Sequence, residues 1–111
     1  MGTYVKKVQG GDPLILSVGG VLDTGTAATL AAELSAEIGS AKNVVADFSG
    51  TEHLTSAGAG AIMSVRNTLK QKGGDLRLAA LPEKIGKVFK VLHLDKVVQI
   101  HATVESARAS F

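Results

Sequence analysis

The chain has 111 residues, 45% of them hydrophobic and 20% charged, with a formal net charge of +2 and no cysteine. That length accommodates one domain around one core, and the missing cysteines exclude disulfides, thiolate metal sites and cysteine nucleophiles. A charge this small, with Tyr4, Phe48, Phe89 and Phe111 as the only aromatics, points away from direct nucleic-acid binding.

No apolar run reaches the roughly 18 residues that suggest a membrane span. The start "MGTYVKKVQGGDPLIL" also lacks the apolar stretch of a secretory signal. Gly2 could open a myristoylation signal, but Lys6 stands where Ser or Thr is required. A cytoplasmic protein without membrane insertion is expected.

In chain order, "TYVKKVQ" (Thr3 to Gln9) reads as a first strand with imperfect alternation. "GGDP" turns the chain into a second strand, "LILSVGG" (Leu14 to Gly20), so the pair forms an antiparallel hairpin. Leu30, Leu34 and Ile38, flanked by Ala27 and Ala31, then make a helical stripe. Thr24 or Thr26 can cap that helix and Gly39 can end it. "NVVADFSG" (Asn43 to Gly50) is a short β-branched run that suits a buried strand.

A second long helix opens around "TSAGAGAIM", with Ala61, Ile62, Val65 and Leu69 on one face and Arg66, Lys70 and Gln71 turned away. Lys72-Gly73-Gly74-Asp75 stops it. Leu76 to Leu81 is a strand. Pro82 suits the first turn of a third helix, which carries Ile85, Val88, Phe89 and Leu92 at helical spacing through "EKIGKVFKVLHL". "KVVQIH" reads as a last short strand, and "TVESARASF" as a final helix capped by Thr103. The order ββαβαβαβα predicts a single α/β domain over residues 1–111. Its small mixed sheet should be mostly parallel, with an antiparallel N-terminal hairpin and helices packed on it.

The stretch from Thr55 to Gly60 is the odd one. Glycine costs roughly 1 kcal/mol relative to alanine inside a helix, yet Gly58 and Gly60 both fall in its opening turns. If Thr55 is the cap, the Ser56 hydroxyl is free of capping duty, and Ala57, Gly58 and Gly60 leave the backbone around it low. On the residues alone Ser56 reads first as an ordinary cap, and the glycines equally as places where the helix packs tightly on the sheet.

Other signals are weaker. "GAGAIM" lacks the third glycine of a dinucleotide fingerprint, and "GGVLDTGTAA" has no Walker lysine. "LTSAG" has Leu54 where a nucleophile elbow needs glycine. His53, His93 and His101 show no metal-ligand spacing. Lys84, Lys87 and Lys90 recur every three residues, either as a solvated face or as a docking surface for an acidic partner.

Element order and several local stretches together resemble the STAS domain, the fold of anti-sigma factor antagonists. "SVGGVLDTGTAATL" resembles the family's second strand and its Gly-x-Leu-Asp turn into the first helix. "VVADFSGTEHLTSAGAG" resembles its strand, Asp, hydrophobic-Ser-Gly and Asp-Ser-Ser-Gly-Leu-Gly run. "KGGDLRLAALPEKIGKVFKVLHLDKVVQIHATVESA" resembles its closing half. The likeness covers nearly the whole chain.

In that family the serine directly after the aspartate is phosphorylated by a partner kinase that is also the anti-sigma factor. Ser56 occupies that place, followed by Ala57, Gly58 and, as the second glycine, Gly60. Thr55 replaces the aspartate; it keeps a capping hydroxyl but loses the negative charge. Asp23 and Asp47 match acidic positions of the pattern.

The resemblance therefore implies a non-enzymatic binding protein that needs no cofactor or metal. Its expected partner is an anti-sigma factor and serine kinase, and a weak homo-oligomer is also open. The expected phosphoacceptor is Ser56 with Thr55 as helix cap. Asp23, Thr24 and Asp47, with Thr55, Ala57, Gly58 and Gly60, are the expected partner-binding positions. The alternatives are a STAS docking subunit of another signalling or lipid-transport assembly, or a small nucleotide- or ligand-binding module.

Overall fold

A computed structural model describes residues 2–111. Strands β1 (Thr3–Gln9) and β2 (Leu14–Leu22) form the expected antiparallel hairpin. Helix α1 (Ala27–Ile38) leads to β3 (Asn43–Asp47), which pairs parallel with Leu14 to Ser17 of β2. Then follow β4 (Thr51–Leu54), α2 (Ser56–Gln71), β5 (Asp75–Ala79), α3 (Glu83–Val91), β6 (Ile100–His101) and α4 (Val104–Ala109). The main path of the sheet runs β1-β2-β3-β5-β6, with β4 attached to β2 alone. Every pairing except the hairpin is parallel.

Alternation along the central strands divides the core in two. Leu14, Leu16 and Val18 of β2, Val44 and Ala46 of β3, and Leu76 and Leu78 of β5 point to one face. There they meet Leu30, Leu34 and Ile38 of α1, Ile62, Val65 and Leu69 of α2, and Ile85 and Phe89 of α3. Phe48 and Phe89 pack edge to face, with centroids 6.3 Å apart. The opposite face carries Ile15, Val45 and Ala79, covered by Ala107 and Val104 of α4. Both faces of the middle strands are thus buried, which is why they read as nearly continuous apolar runs.

Five expectations are corrected. First, β4 was not expected. After β3 the chain turns through Phe48 to Gly50 and re-enters the sheet, where Thr51 to Leu54 pair with Gly20 to Leu22 across a β-bulge. Thr51 is buried there, and its Oγ1 donates to the Val18 carbonyl at 2.9 Å.

Second, α3 ends at Val91 rather than Leu94, because His93 takes a left-handed φ of 60° and a short 3-10 turn covers Leu94 to Lys96. Third, the expected strand Lys96 to His101 shrinks to Ile100 and His101, since Val98 is buried by side-chain packing and Val97 faces solvent. Fourth, Leu92 leaves the buried stripe and is 37% exposed.

Fifth, Arg66, expected to point away from the core, instead meets Asp75. Asp75 is 8% exposed and lies 3.1 Å from Arg66 Nε and 3.3 Å from Arg77 Nε. Its Oδ1 also accepts the Leu76 N–H at 2.8 Å. Arg77 reaches on to the Ser110 carbonyl and lies over the Phe111 ring, 4.1 Å from its centroid. The C-terminus is thereby fastened to β5.

Candidate functional site

The bulge at Gly20 lets β2 run past β3 and take β4 as its next neighbour. Two chain segments consequently leave the same end of the sheet side by side. Leu22 pairs with Leu54, and the Thr55 N–H donates to the Leu22 carbonyl at 2.9 Å. From there one segment passes Asp23 and Thr24 into α1, and the other enters α2 at once.

Thr55 holds the N-cap position of α2 with extended backbone, φ −109° and ψ 174°. Its carbonyl accepts the Ala59 N–H at 3.0 Å. Its side chain, however, makes no capping hydrogen bond, and among the described residues Oγ1 is buried without a partner. The expectation of a threonine cap therefore holds for position and backbone but not for the hydroxyl. Ser56 follows as the first helical residue and is exposed. No acidic residue lies in the first turn, so no carboxylate of the helix itself answers its positive end.

The two glycines have different roles. A Cβ on Gly58 would sit 2.4 Å from the Leu22 carbonyl oxygen and 2.9 Å from Leu54 Cδ1, so Gly58 lets α2 lie directly on the strand end. Gly58 is buried and cannot itself be the low surface a partner approaches. Gly60 is exposed, with nothing within 4 Å of a built Cβ. Ala57, just before Gly58, is half-buried.

Asp23 and Thr24 lie at the same end of the sheet as Ser56. Asp23 Oδ1 accepts the Thr26 N–H at 3.1 Å, and Thr26 Oγ1 accepts the Asp23 N–H and donates to the Val21 carbonyl. This turn fixes the entry to α1, with Thr26 rather than Thr24 at the N-cap position and Thr24 exposed on the turn. Asp47 belongs elsewhere. It lies level with Ser17, and its Oδ1 accepts the Ser49 N–H at 2.9 Å. Leu22 lies five residues beyond Ser17 along β2, about 16 Å of strand, so Asp47 is not brought together with Ser56.

What periodicity did not disclose is the neighbouring groove. Val88, Val91 and Leu92 of the α3 end face Leu54, Thr55 and Ser56 across an open groove of about 300 Å³, with Lys87 on its rim. Val91 is 75% exposed. Lys87 is the one ionisable side chain in the described lining, which holds no imidazole or carboxylate.

The STAS domain family model matches residues 4–107 of the chain. BtrV of Bordetella bronchiseptica, a protein assigned as an anti-sigma factor antagonist, is 29% identical over 99 residues, covering 88% of this chain and 85% of BtrV. Among solved structures, the Thermotoga maritima protein TM1081 superposes with a TM-score of 0.83 at 23% identity, covering 97% of this chain and 92% of that one. SpoIIAA of Bacillus matches at 21% identity in two states. The TM-score is 0.74 for the unphosphorylated form, covering 95% of this chain and 91% of that one. It is 0.66 for the phosphorylated form, with 95% coverage of both. Element order, sheet pairing and the family match over almost the entire chain agree: this protein belongs to the STAS domain family.

Proposed function

We propose that this protein is an anti-sigma factor antagonist: it binds an anti-sigma factor that is also a serine kinase, and phosphorylation of Ser56 releases it. The observation that carries this reading is the exposed Ser56 hydroxyl at the first position of α2, beside an apolar groove. A partner seated on that groove would bury the neighbourhood of Ser56.

A phosphate on Ser56 would add about −1.5 to −2 charges. The positive end of α2, with no acid in its first turn, would tolerate that charge within the fold. Burying it against a partner without compensating donors would be costly. The modification therefore acts on the complex and leaves the domain folded. ATP and magnesium belong to the kinase's chemistry, and this chain supplies only the acceptor oxygen. The naming of BtrV and SpoIIAA as anti-sigma factor antagonists, and the existence of a phosphorylated SpoIIAA structure, support the same reading.

Co-purification from the native cell, with mass spectrometry of the peptide spanning Ser56, tests it. The expected result is a co-purified anti-sigma kinase and a phosphorylated fraction at Ser56. A transporter or scaffold partner, with Ser56 unmodified under every growth condition, would overturn it in favour of a docking subunit in another assembly.

A further inference from the structure

We infer that the groove beside Ser56 receives an acidic amphipathic helix of the partner. Its apolar stripe would lie on Leu54, Val88, Val91 and Leu92, and its carboxylates would meet Lys84 and Lys87. This deepens the docking role proposed above and rests on it, but needs neither a named anti-sigma factor nor phosphorylation.

Two observations carry the inference. The apolar floor is continuous: Leu54 and Val88 line both the groove at Ser56 and an adjoining one of about 260 Å³ bounded by His53, Lys84 and Ile85. Val91 and Leu92, at 75% and 37% exposure, extend it along the end of α3. The charge flanking this floor is one-sided. Lys84 and Lys87, both exposed, are the only lysines or carboxylates among its described lining, while Glu83, 3.8 Å from Lys87 and the only carboxylate on α3, lies with Lys90 and Asp95 around a separate pocket.

Other occupants fit less well. A second copy docking through the same face would set the lysines of one α3 against those of the other, because a two-fold contact is self-complementary. A concave groove between a helix and a strand end does not match a flat bilayer. An apolar stripe flanked by acids satisfies both floor and rim, in the manner of helix-in-groove recognition. The same charge pattern explains why a phosphate on Ser56 would be disruptive: it would face the partner's carboxylates.

The test is an NMR titration of the 15N-labelled full chain with a designed amphipathic helical peptide of leucines flanked by glutamates. The comparison is its counterpart with lysines in place of the glutamates. The acidic peptide should bind about tenfold more tightly at low ionic strength, with shifts centred on Leu54, Ser56, Lys87 and Leu92. The double variant Lys84→Glu/Lys87→Glu should reverse the preference, and Val91→Asp should abolish binding of the acidic peptide. Both variants alter exposed side chains, so their spectra should show the native fold.

Equal affinity for the two peptides, or shifts confined to another face, would overturn the inference. So would sedimentation of the protein with phosphatidylglycerol vesicles, or self-association, that Val91→Asp removes. Peptide binding without any anti-sigma factor in the co-purification would refute the proposed function and leave the groove standing. The converse pair of results would refute the groove alone.

Discussion

The two ends of α2 are built by opposite rules. At its C-terminus every device for closing a helix is present. Gly73 turns the chain with φ 88°, Gly74 N–H returns to the Leu69 carbonyl at 2.9 Å, and Gly73 N–H to that of Lys70 at 3.0 Å, the two bonds of a Schellman motif. Arg66, one turn earlier, is tied to buried Asp75. At its N-terminus the cap hydroxyl is unused, no acid answers the helix end, and Ser56 stands exposed beside exposed Val91. The closed end is the arrangement of a structural element, and the open end leaves the Ser56 hydroxyl exposed to whatever lies outside the chain.

Substitutions at each end should separate the two rules. The largest effect is expected at the closed end. Asp75→Ala would strand Arg66 and Arg77, whose side chains are 13% and 16% exposed, and should cost about 3 kcal/mol in urea unfolding. It should also loosen the C-terminus that Arg77 holds. Next comes Gly58→Ala, which forces a Cβ against the Leu22 carbonyl and should cost about 2 kcal/mol. The matching change two residues on has the opposite sign. Gly60→Ala meets open space and should stabilise by up to ~1 kcal/mol.

The smallest change sharpens the account of Thr55. A working threonine cap loses about 1 kcal/mol when its hydroxyl is removed. Because Thr55 Oγ1 is buried without a partner among the described residues, Thr55→Val should instead leave stability unchanged or slightly raised. A loss of about 1 kcal/mol would show that the hydroxyl caps the helix in solution.

Much of this was legible in the residues. The stripes of α1 and α2, the β-branched runs of β3 and β5, and the Gly-Asp-Pro turn announced themselves through period and turn chemistry, and Thr103 does accept the Ser106 N–H as a cap. What escaped was set by tertiary context. Strand β4 has only four residues with the two middle ones exposed, so it offers no two-residue period, and its existence depends on a bulge in β2.

The groove escaped for a related reason. Leu92 has helical spacing from Ile85 and Phe89, but α3 ends before it could be carried inward. The ion pairs of Asp75 join α2 to β5, and no local pattern announces them. The special character of Ser56 was visible in its bare neighbours. The distinction between Gly58, pressed on a strand, and Gly60, open to solvent, required the packing itself.

On the proposed function, Ser56 would control a docking surface and not the fold. The most direct measurement is the affinity of the co-purified anti-sigma factor for this chain with serine, and then phosphoserine, installed at position 56, alongside urea unfolding of both forms. The account predicts a loss of at least about tenfold in affinity with unfolding curves that nearly coincide. Equal affinity for the two forms, or a phosphorylated chain that no longer folds, would contradict it.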